Sequence, residues 1–258
     1  QKLVIPNSVA LYNYHGYFDN CTGELIVNCN IPSPGYAGET LGVFSGSKFS
    51  KVTIGDDVKF IGTRAFLGCN TIQSIHIGKG VNEIGYYTFY NCQGEIYIDC
   101  NIPDSVNTTY GGAFYGSMFS RITIGDNVST IGEMAFKDIT TITEINIPKG
   151  VTEIRSTAFS GCSNLQSVYI EDLSAWCNIT FRGSYANPLS NSKSNLYVNN
   201  EILTDLIIPD DITIIKEYAF ENCKTLQSIK IHSGVTEINS YAFWFCSNLS
   251  NVYCYAIN

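Results

Sequence analysis

Ile145-Asn-Ile-Pro-Lys-Gly-Val151-Thr-Glu-Ile154-Arg-Ser-Thr-Ala158-Phe159-Ser-Gly-Cys162-Ser-Asn-Leu165-Gln-Ser-Val168 is one period of a repeat that runs through the chain. Its phenylalanine marks the register. Phe66 to Phe89 is 23 residues, Phe89 to Phe114 is 25, Phe114 to Phe136 is 22, Phe136 to Phe159 is 23, and Phe220 to Phe243 is 23 again. Apolar residues at fixed offsets in a fixed period imply coils that cannot bury their apolar side alone and do so by stacking.

Within a period, Leu165-x-x-Val168-x-Ile170 alternates apolar and polar residues as a half-buried strand does. Val151-x-x-Ile154 is a second extended segment, and Ala158-Phe159-x-x-Cys162 is too short for a helix, so a 3-10-like turn is expected. A period in this range is that of a leucine-rich-repeat solenoid. The expected fold is therefore mainly β: a right-handed solenoid of about ten 23-residue coils, with one long parallel sheet, short 3-10 turns and a single domain over 1–258. At about 4.8 Å per coil the stack is on the order of 50 Å long.

Two stretches depart from the rule in the same way. Gly23-Glu-Leu-Ile-Val-Asn-Cys29-Asn-Ile-Pro32 recurs 71 residues later as Gly94-Glu-Ile-Tyr-Ile-Asp-Cys100-Asn-Ile-Pro103. Both copies lack two residues before the strand and carry a longer excursion after it, then rejoin the register at Phe44 and Phe114. A third departure lies at 171–208. Taking Phe181 as the repeat phenylalanine leaves 39 residues to Phe220, 16 more than a period. Leu196-Tyr-Val198 and Ile202–Ile208 flank a polar Asn199-Asn200-Glu201, which predicts a β-hairpin over 196–208 that feeds the next strand.

Composition narrows the function. A net charge of −8 and a sequence pI near 4.8 argue against nucleic acid, whose phosphates select a basic surface. No run of 18 apolar residues exists, so no membrane span is expected. No basic and apolar leader opens the chain, so any signal peptide is expected to have been removed already or never to have been present, and no lipid anchor is expected within it. The chain has ten cysteines, and six of them (Cys21, Cys69, Cys92, Cys162, Cys223 and Cys246) each follow a phenylalanine by three residues. They form a column, where free cysteine serves as a small buried hydrophobe. Parallel Cβ vectors in neighbouring coils do not favour disulfides, so structural thiols are expected.

Little in the chain suggests chemistry. His15, His76 and His232 have no Cys, Asp or Glu at metal-ligand spacing and read as solvated strand or loop residues. No phosphate-cradling loop appears. Two residues past each strand stand Asp56, Lys79, Cys100, Asp126, Lys149, Asp172 and Asp210, the alternation of a solvated ladder and not an acid–base pair. No enzyme, cofactor or metal is expected. The strand residue between the two core positions faces outward: Thr53, His76, Tyr97, Thr123, Asn146, Tyr169, Lys230 and Tyr253, with Ile207 in the irregular repeat. Tyrosine offers contact area and a hydrogen-bonding tip at low entropic cost, so this column is the candidate ligand-binding face. The same residue types also favour strands for their own sake.

The pattern Leu-x-x-Ile-x-Ile-Pro-x-x-Val-x-x-Ile-x-x-x-Ala-Phe-x-x-Cys resembles the BspA-like class of leucine-rich repeats, most closely at 145–168, 206–229 and 229–252. The match departs at Thr88 and Val43 in the alanine position and at Ser47, Ser117 and Ile139 in the cysteine position. The resemblance implies an extracellular or cell-surface module that adheres to other macromolecules. The partner it implies first is a host or microbial surface protein. A glycan, or a role as a spacer displaying a neighbouring domain, is the alternative, and the expected state is monomeric.

Overall fold

The computed structural model describes residues 1–12, 16–35, 41–105, 111–183, 185–191 and 193–255. The excursions expected after the two clipped strands fall largely on residues 36–40 and 106–110, and His15 falls in a similar stretch. These lie outside the described residues. In chain order the strands are β1 Lys2–Ile5, β2 Thr22–Val27, β3 Lys48–Ile54, β4 Phe60–Ile61, β5 Ser74–Ile77, β6 Glu83–Ile84, β7 Gln93–Ile98, β8 Met118–Ile124, β9 Thr130–Ile131 and β10 Glu144–Asn146. They continue with β11 Glu153–Ile154, β12 Ser167–Ile170, β13 Thr180–Phe181, β14 Asn195–Val198, β15 Glu201–Ile202, β16 Asp205–Ile207, β17 Ile214–Ile215, β18 Ser228–Ile231, β19 Glu237–Ile238 and β20 Asn251–Cys254. Among the described residues one α-helix, α1, spans Leu173–Cys177, and a 3-10 helix spans Pro188–Ser190.

The expected mainly β solenoid is what forms. Each coil gives one strand to a long parallel face and a two-residue strand to a second, narrower one. Hydrogen bonding divides the long face into β1-β2-β3-β5-β7-β8, β10-β12-β14-β15 and β16-β18-β20. The narrow face runs as β4-β6, β9-β11-β13 and β17-β19. Alternation sends Leu25, Val52, Ile75, Ile96, Ile122, Ile145, Val168, Leu196, Leu206 and Ile229 inward, all essentially inaccessible. Burying such a side chain contributes about 1.5–3 kcal/mol, and the stack repeats that gain coil after coil.

The two clipped copies show why glycine leads them. Gly23 and Gly94 both have φ of +90°, and each sits at a register shift in its pairing with the next strand. A Cβ on Gly23 would lie 2.2 Å from the Gln1 carbonyl oxygen, and one on Gly94 would lie 2.4 Å from that of Gln73. Only glycine lets the chain enter the strand directly there.

The Ala-Phe-x-x-Cys turn carries the expected i→i+3 bonds, such as Ala158 N–H to the Arg155 carbonyl and Cys162 N–H to that of Phe159. Left-handed residues such as Thr157 (φ 55°) and Gly161 (φ 76°) punctuate it, so it stays a chain of turns and not a continuous 3-10 helix. The phenylalanines stack at 5.1 Å (Phe44–Phe66), 5.7 Å (Phe66–Phe89), 5.6 Å (Phe89–Phe114) and 5.5 Å (Phe114–Phe136). Beside them the thiols of Cys69, Cys92, Cys162 and Cys246 donate to the carbonyls of Phe44, Phe66, Phe136 and Phe220, each one coil back. All ten cysteines are free. The column is therefore a hydrogen-bonded ladder as well as a packed one.

The irregular repeat corrects the register read from the sequence. Phe181 is not the repeat phenylalanine: it pairs with Ile154 and occupies the narrow-face position. The Phe159 N–H, which in a regular coil would bond to the alanine carbonyl, bonds to that of Tyr185, so small Ala186 falls where phenylalanine belongs. The extra residues before β13 form α1, which the periodicity did not predict, capped by the Asp172 carboxylate accepting from Ala175 N–H. Its Trp176 indole N–H and the Asn187 side-chain amide both donate to the Ala219 carbonyl, at 2.9 and 3.1 Å. Side chains thus supply the inter-coil bonds that backbone supplies elsewhere. The hairpin forms as β14–β15 around Asn199-Asn200, whereas 205–207 is the next long-face strand and not part of its second arm.

Candidate functional site

Strand register settles which outward residues adjoin. Thr53 pairs with His76, His76 with Tyr97, and Tyr97 with Thr123. Asn146 pairs with Tyr169, Ile207 with Lys230, and Lys230 with Tyr253. Thr123 and Asn146 stand on either side of the first break in hydrogen bonding. The same register adds Tyr197 beside Tyr169, a residue that sequence reasoning missed because the insertion hid the alignment of its strand. Val4 and Ile26 extend the column at its start.

His76 is not the solvated residue expected. It is half-buried, its ring edge-on to Tyr97 at 5.1 Å, and its Nε2 has no hydrogen-bond partner among the described residues. His232 fits a loop role, with Nε2 3.0 Å from the Pro209 carbonyl oxygen and Nδ1 accepting from Gly234 N–H. Partial burial, then the carboxylates of Asp99 and Asp126, push the Tyr97 phenol up. It therefore stays a neutral donor on the surface.

A second outward column flanks the first, one residue before each core position. Lys2 and Lys51 bracket Glu24 at 3.6 and 3.3 Å, and Arg121 lies between Glu95 and Glu144 at 3.9 and 3.8 Å. The Lys51 hydrogen bond, with Lys2 nearby, holds the Glu24 carboxyl below the usual range. These exposed pairs set a charge pattern more than they stabilise. The ladder expected two residues past the strand is partial: Lys79 reaches Asp56 at 3.8 Å, but Cys100 is buried and leaves a gap.

A hollow of about 860 Å³ opens on this side where the hairpin turn meets the ends of β10 and β12. Asn146 and Tyr169 of the candidate column line it, together with Glu144, Lys149, Glu171, Asp172 and the turn residues Asn199 and Asn200. The column and the hairpin, treated separately in the sequence, therefore meet here. No group of His, Cys, Asp and Glu among the described residues could hold a metal ion.

The chain is similar in fold to several solved structures. A leucine-rich repeat protein from Bacteroides ovatus shares 21% identity with a TM-score of 0.46, covering 88% of this chain and 64% of that one. A leucine rich cell surface protein from Faecalibacterium prausnitzii shares 17% with a TM-score of 0.30, covering 96% of both chains. The T. pallidum leucine rich repeat protein shares 17% with a TM-score of 0.35, covering 88% of this chain and 78% of that one. This chain thus spans about two thirds of the length of the Bacteroides protein. No curated protein matches it. The sequence pattern of the BspA type leucine rich repeat region matches in six copies, over residues 40–166, 95–187 and 190–256. With phenylalanine stack, thiol ladder and strand column all falling in that register, the chain belongs to the BspA type leucine-rich-repeat family.

Proposed function

We propose that this chain is a non-catalytic, exported or cell-surface binding module, acting as one solenoid domain over 1–258, that recognises a partner protein through the outer face of its long strands. The observation that carries this is the outward column Thr53, His76, Tyr97, Thr123, Asn146, Tyr169, Lys230 and Tyr253, now joined by Tyr197 and flanked by charges of both signs. Repeat stacks offer such extended surfaces to macromolecules, and tyrosines among hydrogen-bonding neighbours suit protein contact. The reading without catalysis draws on the groups that could be nucleophiles. Burial pushes the thiols of Cys100, Cys162, Cys177 and Cys223 up to about 12, which suits packing and not attack, and Cys69, held lower by its hydrogen bond with Cys92, is fully buried in the column. No helix among the described residues is long and apolar enough to cross a membrane.

The test is a screen of the chain against arrays of extracellular proteins and of glycans, repeated with Tyr97, Tyr169 and Tyr253 changed to Ser. Protein hits that vanish in the triple variant while its melting temperature holds support the reading. Hits confined to the glycan array replace it with a sugar-binding one. Silence on both arrays would leave a spacer as the surviving account.

A further inference from the structure

We propose that the hairpin at 195–202 forms the centre of the partner interface, and that it receives an apolar side chain presented on a basic protein surface. This rests on the reading that the outer face binds a protein, and it names where and what kind. Strand register places Tyr169 beside Tyr197, and Tyr197 directly across from Ile202. The two rings lie 4.9 Å apart at 31°, and Ile202 is 42% exposed. Three adjacent strands, β12, β14 and β15, thus carry an unbroken apolar row on the solvent side. Nothing comparable runs through Thr53, His76, Tyr97 and Thr123, where polar residues interrupt.

The row exists only because of the insertion. Asn199 and Asn200, at φ of 50° and 67°, turn the chain back so that β15 caps the edge of β14. Buried Leu203 anchors this arm from below, its N–H donating to the Leu196 carbonyl. Folding does not need Ile202 outside: a polar residue there would keep the same turn and the same anchor. A small apolar centre with a polar rim is the anatomy of a protein interface, and tyrosine is enriched among its energetic anchors.

The rim identifies the partner's charge. Glu171 and Asp172 line the adjoining 860 Å³ hollow with one lining cation, Lys149, while Glu144 beside them is already paired with Arg121 at 3.8 Å, which leaves the rim acidic on balance. The Asp172 carboxylate is fixed in place by its bond from Ala175 N–H. An acidic partner surface would meet like charge here, whereas a basic one is steered in and held. A hydroxyl-rich glycan could stack on the tyrosines, but Ile202 would offer it no hydrogen bond. The aliphatic side chain decides for protein.

The test uses the full chain, a short peptide of alternating arginine and leucine, and its counterpart with glutamate in place of arginine. Fluorescence anisotropy should show the arginine peptide binding, the glutamate peptide not binding, and the affinity falling about tenfold in the Tyr197→Ser/Ile202→Ser variant. Ile214→Ser, exposed on the narrow face and away from the hairpin, should leave it unchanged. Unaltered binding by the hairpin variant would mean the peptide senses only net charge and would overturn the proposal. Equal binding of the glutamate peptide, or displacement of the arginine peptide by a neutral oligosaccharide, would overturn it as well. If array hits survive in the hairpin variant but vanish when Tyr97, Tyr169 and Tyr253 are changed, this inference fails while the broader function stands.

Discussion

Ser117 shows what one atom does in a periodic core. It stands where other coils have cysteine, is buried, and its hydroxyl has no hydrogen-bond partner among the described residues. The thiols at equivalent positions reach the phenylalanine carbonyl one coil back. Ser117→Cys should let the longer side chain reach the Phe89 carbonyl and raise stability by about 1 kcal/mol, measured by urea denaturation. Glu221 is the converse case. Burial raises its carboxyl pKa while the Ser190 hydroxyl donates to it at 2.7 Å. Because the folded-state pKa lies above the unfolded one, the folded chain holds the proton more tightly. The stability this lends is complete below the ordinary carboxylate range and lost as pH rises through the raised value. Glu221→Gln should therefore gain stability over the parent at neutral pH, with the difference closing in acid. Thermal melts across that range decide it, and a constant difference would refute it. The cysteine column was legible in the sequence, but Glu221 as a buried acid was not. Its burial comes from the irregular coil that brings Ser190 over it.

The element that departs most from the repeat is α1, and its role is to repair a coil that has lost its phenylalanine. Trp176 is buried, packs against Phe181 at 5.4 Å and bonds the Ala219 carbonyl. Trp176→Phe should cost about 1 kcal/mol, since the Asn187 amide still satisfies that carbonyl. Trp176→Ala should cost about 3–5 kcal/mol by opening a cavity. Equal losses in the two variants, read from denaturation midpoints, would show that packing there does not depend on ring volume. The hairpin was visible in the sequence because Asn-Asn between apolar runs is local turn chemistry. The helix was not, since five residues are too few for periodicity to register. Phe181 was misassigned for a related reason: an aromatic at the wrong offset looks like the right residue until strand pairing fixes the register.

At the scale of the whole molecule each coil packs chiefly on its neighbours, with side chains such as Arg155 reaching Asp104 two coils back, and the hydrogen bonding of the long face breaks after β8 and again after β15. Such stacks unfold by segments when one coil is damaged. Phe66, stacked between Phe44 and Phe89, is a fair place to strike. Phe66→Ala should remove about 3–5 kcal/mol locally. Amide exchange should then accelerate over β2–β8 while β16–β20 keeps its protection. Tryptophan fluorescence, which reports only Trp176 and Trp244, should keep its denaturation midpoint. A single shifted transition seen by both probes would mean the breaks do not uncouple the stack.

The sequence by itself determined the coil, its stacking and the inward columns, because a short period converts each apolar position into a core position without any long-range information. It also marked the outward column. Only the tertiary structure decided which outward residues stand side by side. An insertion of uncertain length between two strands leaves their register open, and register is set by hydrogen bonds between coils. That is why Tyr197 and Ile202 joined Tyr169 only in three dimensions, and why the polar hollow beside them could not be read from the chain alone.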